Sequence, residues 1–365
     1  MSATDGVSKT PAEPVAPSEA QSTRSLVIVA GSGRSGTSLV SGLLKRLGCR
    51  VPTPEVPADE SNPKGFAESQ WVVDLHERLL EMVNIQVSDA RPAAWSQTAR
   101  ICLDANVQTE VRSFLEAQFA ENDNLIIKDP RMSWFLPVWR RAAQDLGATP
   151  RVIVMLRHPA AVVASKTRYY GGRQGEASRT AGWVNQLLFT ERATRDAPRV
   201  FVRYEELLED WTVSLAGAAE VLDLNVVRDA SANDIRKAHD FVDLTLDRSK
   251  PKWGVVPNGL IEQAEHVWDQ VTQLAATPDA PPPEVATRMD ELRATYTEYY
   301  TEAESVAWSS VSAAKTKNPK QPVVPKPQLP IATRRVLRLV PKPVRHFLPR
   351  KARKRIVRAV VRKRR

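Results

Sequence analysis

Short apolar runs and helical patterns alternate along this chain from Ser25 onward. Leu26-Val27-Ile28-Val29 is followed by a helical pattern from about Thr37 to Leu47 and another from Trp71 to Val83. Leu125-Ile126-Ile127 precedes a helix after Met132, Val152-Ile153-Val154-Met155-Leu156 precedes one after His158, and Val200-Phe201-Val202 closes the series. Runs that are apolar at every position mark strands covered on both faces, because neither side of such a sheet meets water. The alternation predicts an α/β fold, a parallel β-sheet flanked by helices on both faces. Beyond Trp211 the strand signal fades. Helical patterns near residues 212–223, 260–275 and 284–306 predict an accessory helical layer, broken by the run TPDAPPP at 277–283.

The ends of the chain are composed differently. Residues 1–24 are rich in Ser, Thr, Ala, Pro and Glu and have too little apolar surface to order themselves, which predicts a disordered lead before a domain at 25–306. A Pro-rich linker is expected at 307–333, where KTKNPKQPVVPKPQLP suits extended polyproline II, and a basic tail at 334–365. The formal net charge of +10 hides this division: the first 304 residues carry −9, and the remainder carries 19 Lys and Arg with no acidic residue. An acidic body with a basic appendage argues against nucleic acid as the substrate of the whole fold, and for a tethered catalytic domain. The tail interleaves its cations with Val336, Leu337, Leu339, Phe347, Ile356 and Val360. At helical spacing Ala352, Ile356, Ala359 and Val360 share a face opposite Arg350, Arg353, Lys354 and Arg358. That pattern suits an anionic membrane surface, with nucleic acid or another polyanion, and a merely solvated tail, as the other readings.

Two cysteines, Cys49 and Cys102, could pair, but their spacing matches no metal site and suits a reducing compartment. The opening MSATDGVSKTPAEP has no basic segment followed by an apolar one, and nowhere do eighteen apolar residues run together. A cytoplasmic location is expected, peripheral at the inner membrane face if the tail binds lipid.

The chemistry begins after the first strand. Gly31-Ser32-Gly33-Arg34-Ser35-Gly36-Thr37-Ser38 lies between a buried strand and an amphipathic helix, where backbone N–H groups and the helix N-terminus gather around an anion. The spacing fits G-x-x-x-x-G-x-[ST], but Thr37 stands where nucleoside triphosphatases place a lysine, and the cation has moved to Arg34. A second element follows the strand ending at Leu156: Arg157-His158-Pro159, with Ser165 eight residues after the arginine. A guanidinium at the carboxyl edge of the sheet can fork two N–H groups onto a phosphate, with a hydroxyl beside it.

Together the two segments resemble the sulfotransferase family. Arg34-Ser35-Gly36-Thr37-Ser38 is similar to its 5′-phosphosulfate loop, and Arg157 with Ser165 to its 3′-phosphate element. The resemblance covers roughly residues 25–255 and implies the P-loop-like sulfotransferase fold. It also implies 3′-phosphoadenosine-5′-phosphosulfate as co-substrate, without a required metal, and a hydroxyl or amine acceptor on a carbohydrate, glycolipid or small molecule. On this reading Gly33, Arg34, Ser35, Gly36, Thr37, Ser38, Arg157 and Ser165 bind the donor, and Arg34 faces the leaving oxygen. Arg248, in Arg248-Ser249-Lys250-Pro251-Lys252-Trp253-Gly254, loosely resembles a late basic loop over the 3′-phosphate.

The base has two candidates. Asn62-Pro63-Lys64-Gly65-Phe66-Ala67-Glu68 resembles a bacterial N-P-K-G-x-x-E segment, which nominates Glu68. Asp129, in Ile127-Lys128-Asp129-Pro130-Arg131, ends another core strand and is the alternative; Lys128 and Arg131 could line either pocket. Cytosolic members carry a histidine near such a strand end, and this chain has none there. Tyr204 and Glu205, in Val202-Arg203-Tyr204-Glu205-Glu206, are expected to orient the sheet edge, and Tyr169-Tyr170 to shape an acceptor pocket or a surface turn. Two rivals stay open: a small-molecule kinase with Ile126-Ile127-Lys128-Asp129 as its metal-binding strand, and a non-enzymatic polyanion binder acting through the tail.

Overall fold

The computed structural model describes residues 24–60, 62–171, 174–243 and 252–316. The lead before Arg24, Arg248 and the tail at 334–365 lie outside the described residues. Four strands, β1 (Ser25–Gly31), β2 (Asn124–Lys128), β3 (Thr149–Leu156) and β4 (Arg199–Arg203), pair in parallel in the order β2-β1-β3-β4. Helix α1 (Thr37–Arg46) follows β1, and α2 (Gln70–Met82), α3 (Ala94–Cys102) and α4 (Ala105–Phe119) precede β2. α5 (Met132–Asp145) joins β2 to β3, and α6 (Pro159–Tyr170) and α7 (Glu176–Ala193) join β3 to β4. After β4 come α8 (Tyr204–Glu209), α9 (Trp211–Val221), α10 (Asn225–Arg228) and α11 (Ala232–Phe241), then α12 (Asn258–Ala276) and α13 (Pro283–Thr316).

Why every position of a strand is apolar is visible in the two cores. Side chains alternate across the pleat. Leu26, Ile28, Leu125, Ile127, Val152, Val154 and Phe201 pack into one core with α2 to α5, α7, α12 and α13. Val27, Val29, Ile126, Ile153, Met155, Val200 and Val202 pack into the other with α1, α9 and α11. The sheet is buried on both faces, as the continuous apolar runs predicted. Cys49 lies in one core and Cys102 in the other, so the two thiols are separated by the sheet and both are free. Burial pushes each thiol up to about 12.

The strand order also locates a site. From β1 the chain goes to β2 on one side, then crosses back to β3 on the other, so the loops leaving β1 and β3 diverge at the carboxyl edge. In open parallel sheets such a divergence leaves a crevice into which ligands settle.

Several elements depart from the sequence expectation. Helices α3, α4 and α7 had no counterpart in it. In α4 the signal was present, since Val107, Val111, Leu115 and Phe119 recur at every fourth position and all are buried. In α7 it was absent, because Trp183, Leu187 and Leu188 are buried alongside Asn185, Gln186 and Glu191, and no polar face remains. α13 runs through Thr316, past the 307 boundary expected for the linker. The chain divides into a unit ending at Glu302 and a second beginning at Ala303, of which the described part, to Thr316, is helix. Among the described residues no helix is long and apolar enough to cross a membrane.

The packing of α7 is tight where it meets the segment after α2. A Cβ placed on Gly182 would stand 2.4 Å from the backbone oxygen of Ser88. Gly182→Ala is therefore expected to lower stability by about 1–3 kcal/mol through overpacking, measured as a shift in the midpoint of urea unfolding; an unchanged midpoint would mean that the backbone there yields freely.

Candidate functional site

A cavity of about 370 Å³ opens at the carboxyl edge of the sheet, in the crevice beside β1. Its walls are Gly33, Arg34, Gly36, Thr37 and Ser38 from the glycine loop, Lys128, Pro130 and Arg131 after β2, and Arg157, Ser165, Arg168, Tyr169 and Tyr170 from the end of β3 and α6. Glu60, Asn62, Pro63, Phe66 and Glu68 close one side, with Leu39 and Tyr204 beneath. Five cationic side chains against two carboxylates line it, a balance that attracts a polyanion.

The glycine loop has the backbone such a site needs. Gly36 sits at φ 91° as the N-cap of α1, and a Cβ there would meet the Tyr204 ring at 2.4 Å. Only glycine allows both the left-handed turn and the close ring. The first turn of α1 holds no acidic residue, so its N–H groups and dipole face the cavity uncountered. Arg34 also has a positive φ, 74°. The Ser35 hydroxyl turns away from the cavity and donates to the Ser32 carbonyl, so of the loop's hydroxyls it is those of Thr37 and Ser38 that belong to cavity-lining residues.

The two elements singled out in the sequence meet. The Arg157 guanidinium donates to the Arg34 carbonyl at 3.2 Å, and Arg34 Nε donates to Ser165 Oγ at 3.1 Å. Neighbouring parallel strands at matched register bring this about, since Gly31 pairs with Met155 two residues before Arg157. Aromatic rings set the planes of both guanidiniums. Arg157 lies 4.3 Å over Tyr204, and Arg34 lies 4.1 Å over Tyr169. Tyr204 thus touches both Gly36 and Arg157. The Arg34 guanidinium, engaged by Ser165 and Tyr169, stands on the side of the second element.

A different cation faces the far end of the loop. Lys128, almost fully buried, donates to Ser38 Oγ at 2.9 Å and forms a close ion pair with Glu68. The end of the neighbouring strand thus brings an ammonium beside a loop that has Thr37 where a lysine is usual. Sequence reasoning had left Lys128 between two pockets; the signal that finds it is its place at the end of the apolar run Leu125-Ile126-Ile127. Glu68 precedes the N-cap of α2, and its carboxylate is directed to Lys128 and away from the helix N–H groups. Burial pushes this carboxyl above the ordinary range, and Asp129 adds to the rise, against the pull of Lys128 and Arg131. The Asn62-Pro63-Lys64-Gly65 turn before it is structural: Gly65 N–H returns to the Asn62 carbonyl, and Lys64 donates to the Phe241 carbonyl.

Asp129 is placed otherwise. Its carboxylate is fully buried, accepts from the Arg131 N–H at 2.6 Å and guanidinium at 2.8 Å, and lies 3.2 Å from His76 Nδ1. It does not line the cavity. Trp139 Nε1–H, a donor only, points to His76 Nε2 at 2.8 Å, so that nitrogen accepts and Nδ1 carries the proton donated to Asp129. Although burial alone would raise the carboxyl, these bonds from His76 and Arg131 bring it below the ordinary range. The network aims Arg131 at the cavity, with Glu77 as its outer partner. A kinase would need this aspartate turned toward the phosphates to hold a metal, and it faces the opposite way.

Comparison with known proteins places the chain in a family. The sulfotransferase family model matches residues 27–229. Among solved structures, the sulfotransferase domain of the Synechococcus PCC 7002 olefin synthase aligns at 17% identity over 68% of this chain and 96% of its own, with a TM-score of 0.38. The sulfotransferase domain from the curacin biosynthetic pathway aligns at 15% identity over 68% and 98%, with a TM-score of 0.40. No curated protein matches the sequence.

Proposed function

Given that the chain belongs to the sulfotransferase family, we propose that it transfers a sulfuryl group from 3′-phosphoadenosine-5′-phosphosulfate to a hydroxyl or amine of a carbohydrate, glycolipid or other small acceptor. The observation that supports this reading is the pair of bonds joining Arg157 to the glycine loop and Arg34 to Ser165 at the wall of one cavity. Arg157, Ser165 and Arg34 hold the 3′-phosphate. The N–H groups of the glycine loop and the Thr37 and Ser38 hydroxyls hold the 5′-phosphosulfate.

The division of labour between Lys128 and Glu68 follows from their contact. With the cavity open, each neutralises the other. As the phosphosulfate settles beside Ser38, Lys128 turns its ammonium to the incoming oxygens, which releases the Glu68 carboxylate toward the acceptor. Glu68 then takes the proton of the acceptor hydroxyl while the new O–S bond forms and the donor's S–O bond breaks. Lys128 stabilises the charge left on the departing phosphate oxygen. A carboxyl raised by burial is a better proton acceptor than an ordinary one, which suits Glu68 to this part. Asp129 acts through Arg131 as a positioning residue. Tyr169 and Tyr170, partly exposed at the rim, offer ring faces to a sugar. The basic tail is read as a contact with anionic lipid that holds the domain near its acceptor.

Two measurements test this reading. Arg157→Ala is expected to weaken binding of adenosine 3′,5′-bisphosphate by about 10- to 100-fold, the loss of roughly 1.5–3 kcal/mol for a charge-assisted contact, and to weaken ADP binding far less, through the lost support of the glycine loop alone. An equal loss for both nucleotides would contradict the assignment of the 3′-phosphate. In sedimentation, vesicles containing phosphatidylserine are expected to carry down the full chain and purely zwitterionic vesicles to leave it in solution; indifference to lipid charge would remove the membrane reading.

A further inference from the structure

Lys166 follows Ser165 on α6 and is 6 % exposed. It does not line the cavity, and no sequence motif marks it. Its Nζ stands 2.9 Å from Ser32 Oγ, within the glycine loop, and 2.8 Å from Ser88 Oγ, in the segment after α2. A buried ammonium is ordinarily matched by a carboxylate, since it has lost its water. Here the partners are two hydroxyls.

The charges around it do not supply the missing anion. From α7 comes Arg179, whose guanidinium donates to Thr167 Oγ1 and the Gly171 carbonyl. The segment after α2 carries Asp89 next to Ser88, but that carboxylate is held by Arg91 and by the N–H groups of Gln86 and Arg91. From the glycine loop, Arg34 reaches Ser165, the residue before Lys166, and α6 adds Arg168 at the cavity wall. Among the described residues no carboxylate pairs with Lys166. Burial, and after it Arg179, lower its amine to about 7.

Two hydroxyls suit an amine in either protonation state. Each can accept from an N–H, and either can donate to the lone pair of the neutral form. The site therefore tolerates a change of charge without rearrangement, directly behind a loop built for an anion.

We propose that Lys166 takes up a proton from solvent when the anionic nucleotide settles in the glycine loop, so that donor binding is coupled to charging of a lysine behind it. The amine lone pair forms the new N–H bond and the buffer acid loses its proton. The ammonium then adds positive charge behind Ser32 only when phosphates are present to balance it. This inference rests on reading the cavity as a phosphoadenosine site.

Titration calorimetry with adenosine 3′,5′-bisphosphate tests it, carried out at about pH 8 in buffers of different ionisation enthalpy. At that pH a phosphate monoester, with its second pKa of about 6, is already fully ionised and exchanges little proton itself. The wild-type protein is expected to take up about one proton per nucleotide, and Lys166→Met and Lys166→Gln close to none. Because charging the amine becomes harder as pH rises, wild-type affinity is expected to fall between about pH 7 and 9, and the affinity of both variants to stay level. Ser88→Ala removes one hydroxyl, leaves the loop intact and is expected to move the pH at which affinity falls. Binding heat that is the same in every buffer, uptake that persists in both Lys166 variants, or a Ser88→Ala profile that does not move overturns the proposal while leaving the donor assignment standing. Absence of nucleotide binding at any pH removes both.

Discussion

The guanidinium of Arg157 donates to the backbone of the glycine loop, and the rest of the site depends on that contact. It requires β1 and β3 to be parallel neighbours in matched register, so that the turn after Gly31 and the strand end at Leu156 arrive at one place. It also requires Gly36, since any side chain there would displace Tyr204, the ring on which Arg157 lies. Sheet order, one glycine and two aromatic rings, Tyr204 and Tyr169, together hold two guanidiniums against a common wall. Like charges so placed repel, and the arrangement gains most when an anion lies between them.

The cavity manages its buried cations in two ways. Lys128 is neutralised by Glu68, and on the proposed reading an incoming phosphosulfate oxygen takes the place of that partner and frees the carboxylate for proton transfer. Lys166 is held by hydroxyls, which makes no demand on its charge. Both arrangements avoid an uncompensated buried ammonium, and on the proposed reading the bound anion completes the electrostatics of each. A buried network of this kind costs stability to hold in readiness. The Trp139–His76–Asp129–Arg131 chain supports a third cation, Arg131, and spends its polar groups on orientation.

Much of the fold was legible because burial of the sheet on both faces leaves an unmistakable mark: runs such as Val152 to Leu156 have no polar position. That the two segments meet at one cavity was legible as well, because Gly36 and Arg157 stand at fixed offsets from the ends of neighbouring strands. Other features left weaker traces. α7 reads as neither amphipathic nor apolar, since Asn185, Gln186 and Glu191 are buried with its leucines. Spacing alone does not distinguish Glu68 from Asp129, as both follow plausible signals; what separates their surroundings is His76, a residue 53 positions away that engages Asp129, while Glu68 lines the cavity. Lys128 and Lys166 were hidden for a related reason. A lysine's sequence neighbours do not reveal whether its stem runs out to water or inward beneath a loop.

One nucleotide is expected to span both elements. A crystal structure with adenosine 3′,5′-bisphosphate bound tests this most directly. The 3′-phosphate is expected between Arg157 and Ser165, with the 5′-phosphate against the N–H groups of Gly33 to Ser38 and within reach of Lys128. A nucleotide that fills the glycine loop while its 3′-phosphate points into solvent, away from Arg157, would contradict it.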